Sequence, residues 1–248
     1  MRLVYMIFLA SSLCLSCETD DDDDDVYIAP PASTVLPNVD SAIFTNPTTI
    51  TNPYYGPGVG EVYVYEGGEV GSSPEEEIRV ERRLTTKTVL GITCMIQRDV
   101  VYEDGEIVED TDDWLAQDDD GNLWYMGELS KNYEDGELDN TDGSWESGVD
   151  GALPGYWIPG DPQVGDIYYQ EFLEGEAEDY GEVIDIGVTV TIDFGVYTNC
   201  LVTKDINPYE SDEYEYKYYA PGIGLIKEEV YEDDGELVEL VELVDIED

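Results

Sequence analysis

Histidine is absent from the 248 residues, and basic side chains are scarce: 10 Lys and Arg stand against 60 Asp and Glu, for a formal charge of -50. Without imidazole there is no Ser-His-Asp or Cys-His catalysis, no histidine-ligated zinc and no histidine pH switch. The charge excludes an unaided nucleic-acid binder, because the phosphate backbone would be repelled. It favours cations instead, or serves only to keep an acidic surface solvated at high salt. No window carries a capped period of 3.6, so long amphipathic helices are missing as well. What remains is a chain that is 42% hydrophobic, enough for a core, with carboxylates, 20 tyrosines and 4 tryptophans as its chemistry.

The amino terminus reads as an address. Met1-Arg2 is a short positive head, Leu3 to Leu15 is an apolar run too short to span a bilayer, and Leu15-Ser16-Cys17 follows. These residues resemble a lipobox, with Cys14 standing where an aliphatic residue is usual. The resemblance implies that residues 1–16 are a signal peptide and that Cys17 is lipidated. The six aspartates Asp20 to Asp25 lie just beyond Glu18-Thr19, as in the export signal of Bacteroidota-type surface lipoproteins. That resemblance implies an outer-membrane, lipid-anchored protein facing the cell exterior, with the membrane as partner through its acyl chains. Residues 17–58 then form the acidic run and a proline-rich tether, with Pro30, Pro31, Pro37, Pro47, Pro53 and Pro57 semi-extended. Val35, Leu36, Ile43 and Phe44 are apolar enough for part of it to dock.

The body alternates with period two. Val188, Val190, Ile192 and Phe194 share one face, as do Ile92, Cys94, Ile96, Arg98, Val100 and Tyr102. Asp104-Gly105, Asp135-Gly136 and Asp234-Gly235 mark tight hairpins. The fold class is therefore mostly β: an antiparallel curved sheet, half-barrel or sandwich. It is expected to be built from two pseudo-repeats. Gly60-Glu61-Val62-Tyr63 returns as Gly165-Asp166-Ile167-Tyr168, Thr93-Cys94-Met95-Ile96 as Asn199-Cys200-Leu201-Val202, and Trp114-Leu115-Ala116 as Tyr218-Tyr219-Ala220. Repeat 1 is placed at 59–142, a Gly- and Pro-rich connector at 143–164, and repeat 2 at 165–248, the two forming one continuous domain. The serial hairpins resemble lipoprotein carriers of the LolA and LppX class, which implies a curved sheet and no function. Asn52-Pro53-Tyr54-Tyr55 and Asp118 to Tyr125 resemble a widespread family of secreted β-rich proteins over about residues 50 to 230. It supplies no catalytic residues to carry over.

Three sets of residues are site candidates. Asp118, Asp120 and Asn122 place oxygens at alternate positions, as a Ca²⁺ loop would, with Asp112 or Asp113 completing the shell. The same stretch resembles an Asp-box hairpin at Asp119, Gly121 and Trp124, which implies a structural turn. Trp124, Trp145, Trp157, Tyr216 and Tyr218 are aromatic ligand candidates, for a glycan or a cation, or are packing residues. Cys94 and Cys200 either form a disulfide, which the cell exterior permits, or are two buried thiols. No catalytic residue is assigned, and no cofactor beyond Ca²⁺ is implied. The expected function is a non-enzymatic cell-surface module that binds a cation or a carbohydrate, or is structural. Alternatives are a hydrophobic-ligand or lipid carrier and, less favoured, a glycoside hydrolase working with two carboxylates.

Overall fold

The computed structural model describes residues 27–209 and 212–248. The expected signal peptide, Cys17 and the aspartate run lie outside them. Sixteen strands form one antiparallel sheet. In the first half run β1 (Val62–Glu69), β2 (Glu76–Val89), β3 (Ile92–Glu103), β4 (Glu106–Gln117) and β5 (Leu123–Leu129). Then come β6 (Asn132–Glu134), β7 (Glu137–Asn140), β8 (Trp145–Glu146) and β9 (Leu153–Ile158). The second half holds β10 (Ile167–Tyr169), β11 (Glu171–Phe172), β12 (Tyr180–Ile192), β13 (Gly195–Ile206), β14 (Glu213–Ala220), β15 (Gly224–Glu232) and β16 (Leu237–Glu247). Strand order across the sheet is β10-β12-β13-β14-β15-β16-β1-β2-β3-β4-β5-β9-β11, with β6, β7 and β8 off this path.

The sheet is open, not a closed barrel, yet its two ends are neighbours in the chain. β10 at one end and β11 at the other are separated by Gln170 alone. Curvature brings β9 and this segment so close that a Cβ on Gly155 would lie 2.1 Å from the carbonyl oxygen of Tyr169. Only glycine fits there. The stretch expected as a connector thus contains β9, the strand that carries the sheet to its seam.

Local chemistry explains the hairpins. Asp104 and Gly105 have φ of 50° and 81°, and Asp135 and Gly136 have 51° and 75°. Two successive positive φ values make the tight turn that matches strand twist.

The inner face of the sheet holds the main core: Tyr63, Tyr65, Ile78, Met95, Leu115, Tyr125, Leu201, Ile226 and Leu243 are all buried in it. A second cluster lies apart from it: Val89, Cys94, Trp114, Ala116, Trp124 and Met126 are covered by Val39, Ala42 and Phe44. The proline-rich segment therefore does not stand off as a spacer over its described length. Val35 bridges Tyr168, Asp119 N–H donates to the Ile43 carbonyl, Gln117 N–H to that of Pro47, and Gly222 N–H to that of Pro53. Phe44 packs as expected, with Val39 and Ala42, whereas Val35, Leu36 and Ile43 stay exposed and the segment is held there by backbone hydrogen bonds.

Candidate functional site: an acidic interior and its mouth

Inward positions follow from register, because alternate residues face one side. Along β3 these are Met95, Gln97, Asp99 and Val101, and along β4 Glu109, Thr111, Asp113 and Leu115, paired as Met95 with Leu115, Gln97 with Asp113, Asp99 with Thr111 and Val101 with Glu109. Asp113 in turn lies opposite Glu128 of β5. In the second half, Thr203 lies opposite Lys217, Asp205 opposite Glu215, and Lys217 opposite Glu228. All of these polar residues are buried. A belt of carboxyl groups thus crosses the interior beside the apolar core.

The two parts of the belt are neutralised differently. Lys217 Nζ sits 2.8 Å from Glu215, 3.3 Å from Asp205 and 3.8 Å from Glu228. Burial alone would lower the lysine, but these three carboxylates outweigh it and hold its pKa well above the ordinary value. Between β3, β4 and β5 no lysine enters. Burial, then the neighbouring Asp113, raises Asp99 well above the usual carboxylate range, and the two carboxyls hydrogen-bond each other. Asp113 is pushed up to about 7, chiefly by burial. The Tyr125 hydroxyl lies 2.9 Å from Asp113 Oδ1 and also against Glu128 Oε2. One hydroxyl hydrogen cannot serve both, so a carboxyl proton must supply the other bond. Glu128, raised well above its usual range by burial and then by Asp113, is the group that keeps one.

The same arithmetic holds at the seam. Glu171 is 1% exposed, and no donor group of the protein reaches either of its Oε atoms. Its polar partner is the carboxyl of Asp179, with which it shares a proton. Burial and then Asp179 raise Glu171, while burial pushes Asp179 up to about 6. Unpaired ionised carboxylates at these depths would be costly, so protonation substitutes for counter-charge.

At the hairpin end of the sheet, around the turns of β1, β2 and β3, lies a concavity of about 960 Å³. Glu66, Glu69, Glu75, Glu76, Glu77, Glu103, Asp104 and Glu239 line it, with Arg79 as the basic member. Arg79 is bound to Glu77 and Glu247. Glu76 and Glu239 are half-buried; burial and then each other's or neighbouring glutamates raise them to about 8 and about 7. A smaller concavity of about 90 Å³ is lined by Trp145, Glu171, Phe172, Leu173 and Ala177, among others.

Of the residues singled out from sequence, Asp113 sits in the belt and Trp145 lines the smaller concavity, and the others fall elsewhere. Asp118 is consumed by its own turn: Oδ1 accepts from the N–H groups of Asp120 and Asn122, and Oδ2 from Asn122 Nδ2 and Trp124 Nε1. Asn122 Oδ1 accepts from Gly160 N–H, and Asp119 accepts from Thr45. The loop is a braced turn: of the three residues expected either to ligate Ca²⁺ or to build a structural turn, Asp118 and Asn122 direct their oxygens at donors of the protein. Among the described residues, no group of three or more His, Cys, Asp or Glu side chains is placed to hold a metal ion. Trp124 is core, packed on Phe44 and Tyr156. Trp145 and Trp157 both set their rings edge-on to Tyr125, at 5.2 and 5.0 Å. Tyr216 joins Tyr214 and Tyr231, and Tyr218 donates to Glu229. Cys94 and Cys200 are free thiols in separate clusters, so of the two readings the unbonded one holds here.

Reasoning from the sequence missed the belt itself. Gln97, Asp99, Thr111 and Asp113 look like the wet side of an alternating strand. The available signal was that Ile92, Cys94 and Ile96 already filled the opposite face, so both sides of β3 had to be covered.

No family model matches the chain, and no curated protein matches it. Two crystal structures are similar. One is a Bacteroides fragilis protein described as exported, with a YmcC-like fold: TM-score 0.46, 16% identity, covering 79% of this chain and 99% of that one. The other is a Parabacteroides distasonis protein described as a lipoprotein: TM-score 0.44, 14% identity, with the same two coverages of 79% and 99%. Neither reaches a TM-score of 0.5, and neither informs the reading of the belt or its mouth.

Proposed function

We propose that the protein is an exported, non-enzymatic binding module, anchored through Cys17, whose acidic mouth takes polycationic ligands. The observation that carries this reading is the concavity of about 960 Å³ rimmed by carboxylates with its one arginine already paired. Solvation of a surface asks for spread charge on convex ground. Here Glu76 and Glu239 are crowded into a concave wall until burial makes them hold protons. A polycation entering the mouth would relieve that repulsion, and the low-dielectric walls would focus the field on it. The space that a carrier of apolar ligands would need holds the core side chains instead.

The test is calorimetric titration of the full chain with spermine at low ionic strength. Binding is expected to weaken steeply with added NaCl, and to weaken at least about tenfold in the Glu76→Gln/Glu239→Gln double variant. Equal binding by variant and parent would sink the mouth as the site.

A further inference from the structure

The margins of the sheet are not guarded alike. β10 and β11, which end it, are three and two residues long. β2 runs on past its pairing with β1, and that free stretch carries Arg83 and Lys87, tied to Asp112 and Glu146. Short length and charged side chains both keep an edge from pairing with another chain. The β12–β13 hairpin has neither. β10 covers β12 from Tyr180 to Glu182, and Gly165 and Asp166 reach Val183. β14 covers β13 from Leu201 to Asp205. Beyond these points, among the described residues, nothing further pairs with either edge of the hairpin. In a chain that is 28% charged, the stretch from Ile186 to Thr203 holds a single charged residue, Asp193. Its tip also exposes Phe194 and Val196.

Local geometry makes one of these edges straight. The register with β13 slips at Gly187, an extra residue that bends β12. From Val188 to Ile192 β12 then alternates without a break: Val190 and Ile192 are buried in the main core, and Thr189 and Thr191 are exposed. Ile192 faces Gly195 across a two-residue turn. Opposed residues of an antiparallel ladder alternate between bonded and non-bonded pairs, and such a turn closes on a bonded one. Thr191, and Thr189 two positions back, therefore turn N–H and C=O to the outer edge.

We propose that the outer edge of β12, from Val188 to Ile192, pairs antiparallel with the same edge of a second copy of this chain. A two-fold centred on Val190 sets Thr191 opposite Thr189 of the partner subunit, and Thr189 opposite Thr191 of the partner subunit. Four backbone hydrogen bonds then join groups that otherwise face water. Threonine pairs across strands add to them. The same register lays Asp193 across from Gly187 of the partner subunit, so no carboxylate meets another. Charge selects this occupant. At a formal charge of -50, two copies repel wherever acidic surfaces face each other, and this edge lets them meet without doing so. A basic peptide, which suits the mouth, finds no counter-charge along Val188 to Ile192. So few paired residues make a small interface, and the association is weak.

The experiment is sedimentation equilibrium of the full chain in density-matched detergent, at protein concentrations up to about 1 mM and NaCl from about 50 to about 500 mM. A monomer–dimer equilibrium is expected. It should tighten as salt screens the carboxylates, the reverse of polycation binding at the mouth. Thr191→Pro, which deletes an outward N–H and leaves the bonds to β13 in place, should weaken it at least about tenfold. Thr189→Glu/Thr191→Glu, which sets carboxylates opposite one another on the exposed face, should do the same by another route, so that the result does not rest on one variant's folding. Thr85→Glu, on the free stretch of β2, should leave the equilibrium unchanged. The proposal is overturned if the parent stays monomeric at the highest salt and concentration, which would leave the edge to a strand of another protein. It is equally overturned if both edge variants associate like the parent, or if Thr85→Glu is the variant that abolishes association.

Discussion

One interior and one register are neutralised by two chemistries. In the second half of the sheet Lys217 answers Asp205, Glu215 and Glu228, whereas in the first half Asp113 adds a further carboxyl to Asp99 and Glu128. The first arrangement sets one ammonium among three carboxyls, of which Glu228 and Glu215 are still raised by burial; the second has no cation and relies on bound protons alone. The difference teaches that a buried carboxylate belt can be stable without cations, provided protons remain bound.

The largest effect should come from Lys217→Met, which removes the cation and leaves its three carboxylates buried. Loss of one partner from a buried ionic cluster typically costs about 3–5 kcal/mol. Urea denaturation at pH 8 should show that loss, and at pH 5 a smaller one, because the carboxyls can then protonate. A cost under about 1 kcal/mol at pH 8 would mean that Lys217 does not hold its half together.

Next in size is the pH dependence of the parent. Asp113 and Asp179 keep protons to about 7 and about 6, and burial raises Asp99, Glu128 and Glu171 as well. In the unfolded chain all of them release protons near pH 4. Between those limits the native state binds more protons, so stability falls as pH rises. Asp110 and Glu229 are lowered, by Arg98 and by Lys227 against the effect of burial, and act in the opposite sense only below the ordinary carboxylate range. Thermal melting should therefore drop by about 5 °C or more from pH 5 to pH 8. A melting temperature that climbs over this window would show that these buried carboxyls are ionised.

The smallest effect tests the same half by substitution. Asp113→Asn keeps the shape and an oxygen for Tyr125 while removing one acid from the pair. It should stabilise the chain by about 1 kcal/mol at pH 8 and change little at pH 5. Destabilisation at both would mean that the shared proton is itself a needed bond.

Much of the fold was legible because alternation and Asp-Gly turns are local signals. Val190 and Ile192 were read as inward and are buried, and both Asp104-Gly105 and Asp135-Gly136 adopt the positive φ pair that their sequence implied. Phe194, extrapolated from the same run, falls in the turn after β12 and is 41% exposed. The belt was not legible for a physical reason. On β3, Cys94, Ile92 and Ile96 face the cluster covered by Phe44, while Met95, Gln97 and Asp99 face the interior. A strand buried on both sides, with polar groups on the inner one, has the pattern of a half-wet strand. Asp118 is ambiguous for a different reason: alternate oxygens suit a cation and a braced turn alike, and the donors that occupy its oxygens, from Asp120, Asn122 and Trp124, come from its own hairpin.

The seam at Gln170 bears on how such a chain is assembled. β1, made early, pairs on one side with β2 and on the other with β16, the last strand. β9 likewise ends its half and finds its outer partner in β11 of the next. As the polypeptide emerges, β1 therefore carries an unpaired edge until the carboxyl terminus arrives, and neither half can cover its own margins. Exposed edges invite pairing with strangers, and pairings this distant in sequence form slowly. A truncation that removes β16 should thus yield material that sticks to itself, rather than a smaller version of the protein.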